Sequence, residues 1–405
     1  MIPDGCADWP IESVGNLTPL QLAETPNFDA LAASGIVGRS FNVPQTLSPG
    51  SDVATLSLLG YDPVACYTGR APLEAVAQGL ELTENDWAFR CNLVTVGRQS
   101  EMRSFTAGHI TTEEAVELLK SLEEAVTPLV TNPVKFYSGV SYRNLMIYSG
   151  KPDEVSSFNG LQTFAPHDLT DQSIAIGLPY GTGHELVTQI MYKSIKVFAD
   201  HPVNKLRIAQ GKLPATQCWL WGQGKTPQIE HFADRFATAR PGKSIRGAMI
   251  TAVDLLRGIA KSIGWDILDV PGITGYVDTD YSAKGRYAAE ALRDYDLVCV
   301  HIEAPDEAGH EGNLEKKIRS LEEIDVKIVP PIVAELKKQG DWRILISPDH
   351  PTPIAFKTHT RDEVPWLVSG SNVEPTGNLF NEPTAAESKY CFDPGWKLMP
   401  WFLNQ

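Results

Sequence analysis

The chain has 405 residues, more than one hydrophobic core usually serves, so two domains or one large α/β domain carrying an insertion are expected. Its formal net charge of −15 comes from interspersed acidic and basic residues without a long Lys or Arg block, which argues against nucleic acid or an anionic membrane surface as a partner. Hydrophobic residues at 42% and charged residues at 21% are ordinary for a soluble globular protein and argue against disorder.

The sequence opens on Met1-Ile2-Pro3-Asp4-Gly5, which leaves almost no room for structure ahead of Asp4. Three residues at ~3.3 Å each cannot cross a sheet, so if Asp4 ends a central strand the recorded start is expected to fall several residues late. Residues 25–35 have a helical pattern: Thr25 or Asn27 can cap it, Phe28, Leu31 and Ala32 share a face, and Gly35 stops it. A short strand over 37–43 then leads to Ser48-Pro49-Gly50-Ser51-Asp52. A serine behind Pro-Gly and ahead of an apolar run sits where a loop turns into a helix, with its hydroxyl facing an end rich in free N–H groups. Read alone, Ser51 is a plain N-cap more often than a nucleophile.

From residue 86 the texture changes: 87–96 is strand-like, 111–125 is helical from a Thr-Thr-Glu-Glu capping sequence, and 134–148 suggests a pair of strands. Loop-rich sequence through Pro152, Pro166 and Pro179 leads to a helix over 184–199. After Pro214, strands at 217–221, 245–251, 265–270, 297–302, 343–347 and 366–369 alternate with helices at 252–263, 283–292 and 314–338. The last of these helices is expected to break or kink at Pro330-Pro331. Continuous apolar strands alternating with helices predict an α/β fold, a mostly parallel sheet flanked by helices on both faces. The expected organisation is a core of residues 1–85 and 215–405 interrupted by a smaller α+β domain at 86–214.

Six cysteines stand singly at 6, 66, 91, 218, 299 and 391, which fits small buried thiols in a reducing compartment better than disulfides or a thiolate metal site. No apolar run reaches the roughly 18–20 residues that span a bilayer, and no secretory signal opens the chain, so a cytoplasmic protein is expected.

Four of the nine histidines fall between His301 and His359, three of them beside strand ends. The strand at 297–302 is followed by Asp306-Glu307-Ala308-Gly309-His310, the strand at 343–347 by Pro348-Asp349-His350, and His359 comes soon after. In a parallel sheet all of these emerge at the carboxyl edge, where open α/β folds bind ligands, and Asp4 can be delivered to the same edge. Singly, each has a bland reading as a surface pair, a turn or a solvated loop residue. Together, Asp and His make a mixed oxygen and nitrogen donor set that suits Mn2+, Zn2+ or Co2+ better than an all-oxygen site does. Six such ligands and a serine are enough for two metals, an arrangement that clamps the attacking and leaving oxygens of a phosphoryl transfer.

The set Asp4-Gly5, Gly50-Ser51-Asp52-Val53, Asp306-x-x-x-His310, Asp349-His350 and His359 resembles the alkaline phosphatase superfamily. The connecting segments resemble one branch of it, the archaeal-type cofactor-independent phosphoglycerate mutases, over nearly the whole chain. Among them are Tyr-Thr-Gly-Arg-Ala-Pro-Leu-Glu-Ala at 67–75, Phe-Arg-Cys-Asn-Leu at 89–93, Trp-Leu-Trp-Gly-Gln-Gly at 219–224 and Pro-Asp-His-Pro-Thr-Pro at 348–353.

The resemblance implies an alkaline-phosphatase-like core with an inserted lid domain and two divalent metal ions, Mn2+ favoured over Zn2+, Co2+ or Mg2+. It puts Asp306, His310 and His359 on one metal, and Asp4, Asp349, His350 and the Ser51 oxygen on the other. The implied reaction is interconversion of 2-phosphoglycerate and 3-phosphoglycerate through a phosphoserine at Ser51, with no bisphosphoglycerate cofactor. Arg70, Arg90, Asn92, His167, Asp168 and Arg246 are the candidates for holding substrate, and Lys284 is a weaker one. Thr55 stands where related sequences often carry His or Asn, and Arg246 where Lys is expected, so substrate identity stays open. The alternatives are a phosphatase, or a phosphotransferase acting on another small phosphorylated metabolite such as one in homoserine phosphorylation. A metal-bound scaffold without activity is a third. Self-association into a homo-oligomer is left open by the sequence.

Overall fold

The computed structural model describes residues 1–151, 158–239 and 242–404. Pro152, expected in a loop, lies outside them. The chain divides into two compact units, Met1–Tyr67 with Ile229–Gln405, and Thr68–Gln228. The second is wider than the 86–214 block expected, because helix Arg70–Ala77 packs on strands Asp86–Val96 and Gln217–Lys225.

In the first unit, Leu297–Ile302 runs parallel to Ile2–Pro3 on one side and Gly247–Ile250 on the other, with Asp266–Ile267 beyond. A second group is ordered Arg343–Ile346, Val364–Gly370, Gly35–Ser40, Cys391–Phe392, antiparallel except for its last pair. Met1 ties the two groups together: its amino group donates to Leu345 O at 2.7 Å, and Ser347 N–H donates to Met1 O at 3.2 Å. The parallel expectation therefore describes the first group, while Val364–Gly370 pairs antiparallel on both sides. Helices Pro26–Ala33, Tyr281–Ala291, Leu314–Lys327 and Val329–Leu336 bury Phe28, Leu31, Ala288, Leu321, Ile324 and Ile332 in a cluster with Val300, Ile302, Ile346 and Leu367. The expected long helix breaks at Ile328, because Pro330 and Pro331 lack N–H donors and are tolerated only in the first turn of a new helix.

Close backbone approach fixes part of this sheet. A Cβ on Gly38 would lie 2.3 Å from Trp366 Cζ2 and 2.5 Å from Tyr390 O, and Trp366 is fully buried against Tyr390, Phe392 and Trp401. Gly38→Ala is therefore expected to cost about 1–3 kcal/mol, read as a lower urea midpoint with an unchanged slope. An unchanged midpoint would contradict the packing.

The second unit is an antiparallel sheet. Asp86–Val96 lies between Arg143–Ser149 and Gln217–Lys225, with Val134–Ser138 outside the former and Met102–Ser104 against its end. Helix Thr112–Val126 begins at the expected capping box, Thr111 with Glu114, and buries Ala115, Leu118, Leu119, Leu122 and Val126. His184–Ala199 packs beside it and on Gln217–Lys225. The cysteines are all free; five are buried, and Cys391, on a two-residue strand, is exposed. Among the described residues no helix is long and apolar enough to cross a membrane.

Candidate metal centre

Asp4 follows strand Ile2–Pro3, and its N–H donates to Ile302 O at 2.9 Å, which sets its side chain at the carboxyl end of the parallel strands. Ser51 opens helix Ser51–Leu58; the N-cap is Gly50, so the serine does no capping. Its Oγ lies 3.4 Å from Asp4 Oδ2 and 3.2 Å from His350 Nε2. Asp306 and His310 stand one turn apart on helix Ala304–Glu311, on one face. Asp349, His350 and His359 come from the segment after Arg343–Ile346.

These residues converge. His310 Nε2 is 3.2 Å from Asp306 Oδ2 and 3.0 Å from His359 Nε2, and His359 Nε2 is 3.4 Å from Asp306 Oδ1. His350 Nε2 is 3.6 Å from Asp4 Oδ1 and 3.5 Å from Asp349 Oδ2. Asp4, Asp349 and His350 make one group able to hold a cation, and Asp306, His350 and His359 make another, so His350 stands between the two. Gly5 permits the approach: with φ at 59°, it brings the chain so near that a Cβ would meet Asp306 Oδ1 and Thr352 Oγ1 at 2.5 Å.

Second partners set which ring nitrogens are bare. Thr352 donates its one hydroxyl proton to Asp306 Oδ1 in a short bond, so at 3.3 Å it accepts from His350 Nδ1, leaving His350 Nε2 without a proton. Lys357 O accepts from His310 Nδ1 at 3.0 Å, which turns His310 Nε2 toward Asp306 and His359.

The electrostatics favour a cation. Asp4 is 1% exposed and Asp349 and His350 are 0% exposed. Burial, and then the charges of Asp349 and Asp306, push the Asp4 carboxyl well above the usual carboxylate range. Burial also works against an ionised Asp306, but hydrogen bonds from His310 and His359 outweigh it and hold that carboxyl well below the range. Among the described residues, buried Asp4 Oδ1 and Asp349 Oδ2 have no hydrogen-bond partner outside this carboxyl pair. Buried carboxyl oxygens gathered beside the unprotonated Nε2 of His350 are a donor set that a divalent cation completes.

The candidates for holding substrate divide. In the second unit, Arg90 is buried against Trp221, its guanidinium 4.3 Å from the ring centre and its Nε 2.9 Å from Glu74 Oε2; burial lowers it to about 10. Arg70 Nε reaches Glu74 Oε1 at 3.3 Å, and the His167 ring lies 5.5 Å from Trp221. Asn92 accepts from Trp221 Nε1 at 3.0 Å and donates to Phe105 O at 3.4 Å, so its amide is occupied in holding those two rings. Asp168 has a 73% exposed side chain, 3.7 Å from His167. Arg246 is a correction. It precedes strand Gly247–Ile250, pairs with Asp296 at the amino end of Leu297–Ile302 and covers the Tyr295 ring at 5.0 Å. The metal ligands follow the opposite, carboxyl ends of those strands. Lys284 is fully buried, with Nζ donating to His301 O at 2.7 Å.

Sequence reasoning passed over Thr352, Glu74 and Trp221, and gave His301 no role. The one available signal was position: Thr352 lies two residues past His350, and His301 one strand residue before the Asp306 loop.

A model of the 2,3-bisphosphoglycerate-independent phosphoglycerate mutase family matches residues 32–204. A probable enzyme of that name from Geobacter sulfurreducens is 43% identical over 100% of this chain and 99% of its own length. One from Methanothrix thermoacetophila is 43% identical over 96% and 95%. Among solved structures, a protein from Pyrococcus horikoshii aligns with TM-score 0.79 and 28% identity over 100% of this chain and 96% of its own. The cofactor-independent phosphoglycerate mutase of Thermoplasma acidophilum aligns with TM-score 0.62 and 26% identity over 100% and 98%.

Proposed function

The chain belongs to the 2,3-bisphosphoglycerate-independent phosphoglycerate mutases, and from that premise we propose how its own residues interconvert 2-phosphoglycerate and 3-phosphoglycerate. The observation that carries the reading is the position of Ser51 Oγ, at a helix N-terminus, 3.4 Å from Asp4 Oδ2 and 3.2 Å from His350 Nε2. Ser51 Oγ attacks the phosphorus of 3-phosphoglycerate, the bond to the 3-oxygen breaks, and the serine proton leaves toward the carboxylate side of the site. The 3-oxygen takes up a proton, giving phosphoserine and glycerate. Glycerate then presents its 2-hydroxyl, which takes the phosphoryl group and returns Ser51 to its starting state. The N-terminal turn of helix Ser51–Leu58 favours the dianion that Oγ carries between the two transfers.

Asp306, His310 and His359 would hold one divalent cation, and Asp4, Asp349, His350 and Ser51 a second. Such ions would favour the serine alkoxide and screen phosphoryl charge; the donor set suits Mn2+, Zn2+ or Co2+, and Mn2+ is the one we propose. We read the first unit as an alkaline-phosphatase-like core and the inserted unit as a lid that keeps water from phosphoserine. Arg90 and Arg70 are its proposed substrate-holding residues. Arg90→Lys keeps the charge and loses the planar fork, so KM for 3-phosphoglycerate should rise about tenfold; an unchanged KM would remove Arg90 from substrate binding.

Purified protein with Mn2+ should convert 3-phosphoglycerate to 2-phosphoglycerate without added bisphosphoglycerate, as glycolysis and gluconeogenesis require. Release of inorganic phosphate with no 2-phosphoglycerate would contradict the mutase reading.

A pH dependence follows from His310. Burial lowers its imidazole, but the hydrogen bond and charge of Asp306 outweigh this and hold it up at about 9 in the metal-free protein. Below that pH a proton occupies the nitrogen a cation needs. Mn2+ affinity at the Asp306 group should therefore rise with pH, up to about tenfold per unit, and level off above it. Titration calorimetry in buffers of different ionisation enthalpy should show proton release near neutral pH. Zero release would contradict the assignment.

A further inference from the structure

We propose that His301 is a positioning residue that chooses which oxygen of Asp4 faces the cation, by donating from Nε2 to Asp4 Oδ2 and leaving Oδ1 free. This rests on the reading that the Asp4 group holds a metal. His301 is completely buried in strand Leu297–Ile302, its Cα in register with Ile2, two residues from Asp4. Its Nε2 lies 2.8 Å from Asp4 Oδ2 and its Nδ1 3.2 Å from Thr251 Oγ1.

The direction of this chain follows from the ionised form that Asp4 must take as a metal ligand. Thr251 Oγ1 already accepts the Val253 N–H at 3.1 Å, so its single proton is available for His301 Nδ1. With a cation bound, Asp4 Oδ2 is ionised and an acceptor only, so the proton of the neutral His301 ring is on Nε2 and Nδ1 accepts from Thr251. Lys284 Nζ anchors the backbone of the same residue through His301 O at 2.7 Å. The ring cannot turn away without stranding buried partners on both sides. Asp4 Oδ2 is thus occupied by His301 and grazed by Ser51, while among the described residues Oδ1 has no hydrogen-bond partner besides the Asp349 carboxyl and faces His350 at 3.6 Å. His301 and His350 sit against the same carboxylate with opposite tautomers. Thr352 leaves His350 Nε2 bare to bind a cation, and Thr251 leaves His301 Nε2 protonated to hold its ligand.

The test is Mn2+ titration of the full chain, following free Mn2+ by EPR, on wild type, His301→Leu, His301→Gln and Thr251→Val, with Asp4→Asn to identify the step that belongs to the Asp4 group. His301→Leu should weaken that step by about 10–100-fold and leave the Asp306 step in place. His301→Gln, whose amide N–H can reach the same oxygen, should recover most of the loss. Thr251→Val keeps the shape and releases the tautomer, so it should weaken the Asp4 step; the metal-free protein should also melt lower, because the Val253 N–H loses its acceptor. Equal Mn2+ affinity in wild type, His301→Leu and Thr251→Val overturns the inference while leaving the metal reading intact. Equal losses in Leu and Gln variants, matched by equal losses of Tm, also overturn it, since that is a packing role. Wild-type protein that shows no Asp4-dependent step overturns the metal reading and this inference together.

Discussion

Ser51→Ala should lower mutase turnover by roughly 10,000-fold or more, the scale on which removal of a covalent nucleophile acts. The fold should hardly notice. Gly50, not Ser51, is the N-cap of helix Ser51–Leu58, and the serine side chain caps nothing. Its Oγ is 3.4 Å from Asp4 and 3.2 Å from His350, two groups already held by other partners. Stability should therefore stay within about 0.5 kcal/mol of wild type, measured by urea denaturation beside a coupled assay of 2-phosphoglycerate formation. Turnover within tenfold of wild type would remove Ser51 from the chemistry.

Asp349→Asn should move activity and metal-free stability in opposite directions. Asp349 Oδ1 accepts from Gly5 N–H at 3.2 Å and His350 N–H at 3.0 Å, while among the described residues buried Oδ2 has no hydrogen-bond partner besides the Asp4 carboxyl. An asparagine keeps the first oxygen and replaces the second by an NH2 that can donate to Asp4. It also removes one of the charges that push the Asp4 carboxyl up. The metal-free protein should gain about 1–2 kcal/mol, the scale of relieving an unsatisfied buried group. The same change removes a proposed ligand. Loss of several kcal/mol of transition-state stabilisation is about a 100–10,000-fold fall in turnover. Melting curves with EDTA and with Mn2+ separate the effects: the variant should melt higher than wild type in EDTA and gain less from Mn2+. A lower melting temperature in EDTA would show that Asp349 is held by structure and not by a cation.

The parts of this site that could be read from sequence are those set by local position. Asp306, His310, Asp349 and His350 follow strands of an α/β pattern, and a residue just past a parallel strand is delivered to the carboxyl edge whatever the rest of the chain does. Arg246 misled because it opens its strand, and the amino end of the same ladder lies across the sheet. Helix Thr112–Val126 was legible through its capping box and periodic apolar face. Strand Gln217–Lys225 runs past the expected end at Trp221, because Gly222 and Gly224 interrupt the apolar run without ending the ladder. Gly224 is there for close approach: a Cβ would lie 2.3 Å from Thr68 O. The partners that tune the ligands were out of reach. His301 meets Asp4 across 297 residues, and Thr352 meets Asp306 across 46, and no periodicity records such pairings.

The central claim, that the phosphoryl group rests on Ser51 between two hydroxyls of one glycerate, is tested most directly by acid-quenching Mn2+-loaded enzyme during turnover of 3-phosphoglycerate and sequencing the digested protein by mass spectrometry. The account predicts phosphate on the peptide carrying Ser51, formed at least as fast as 2-phosphoglycerate appears. Steady formation of 2-phosphoglycerate with Ser51 unmodified throughout would contradict it.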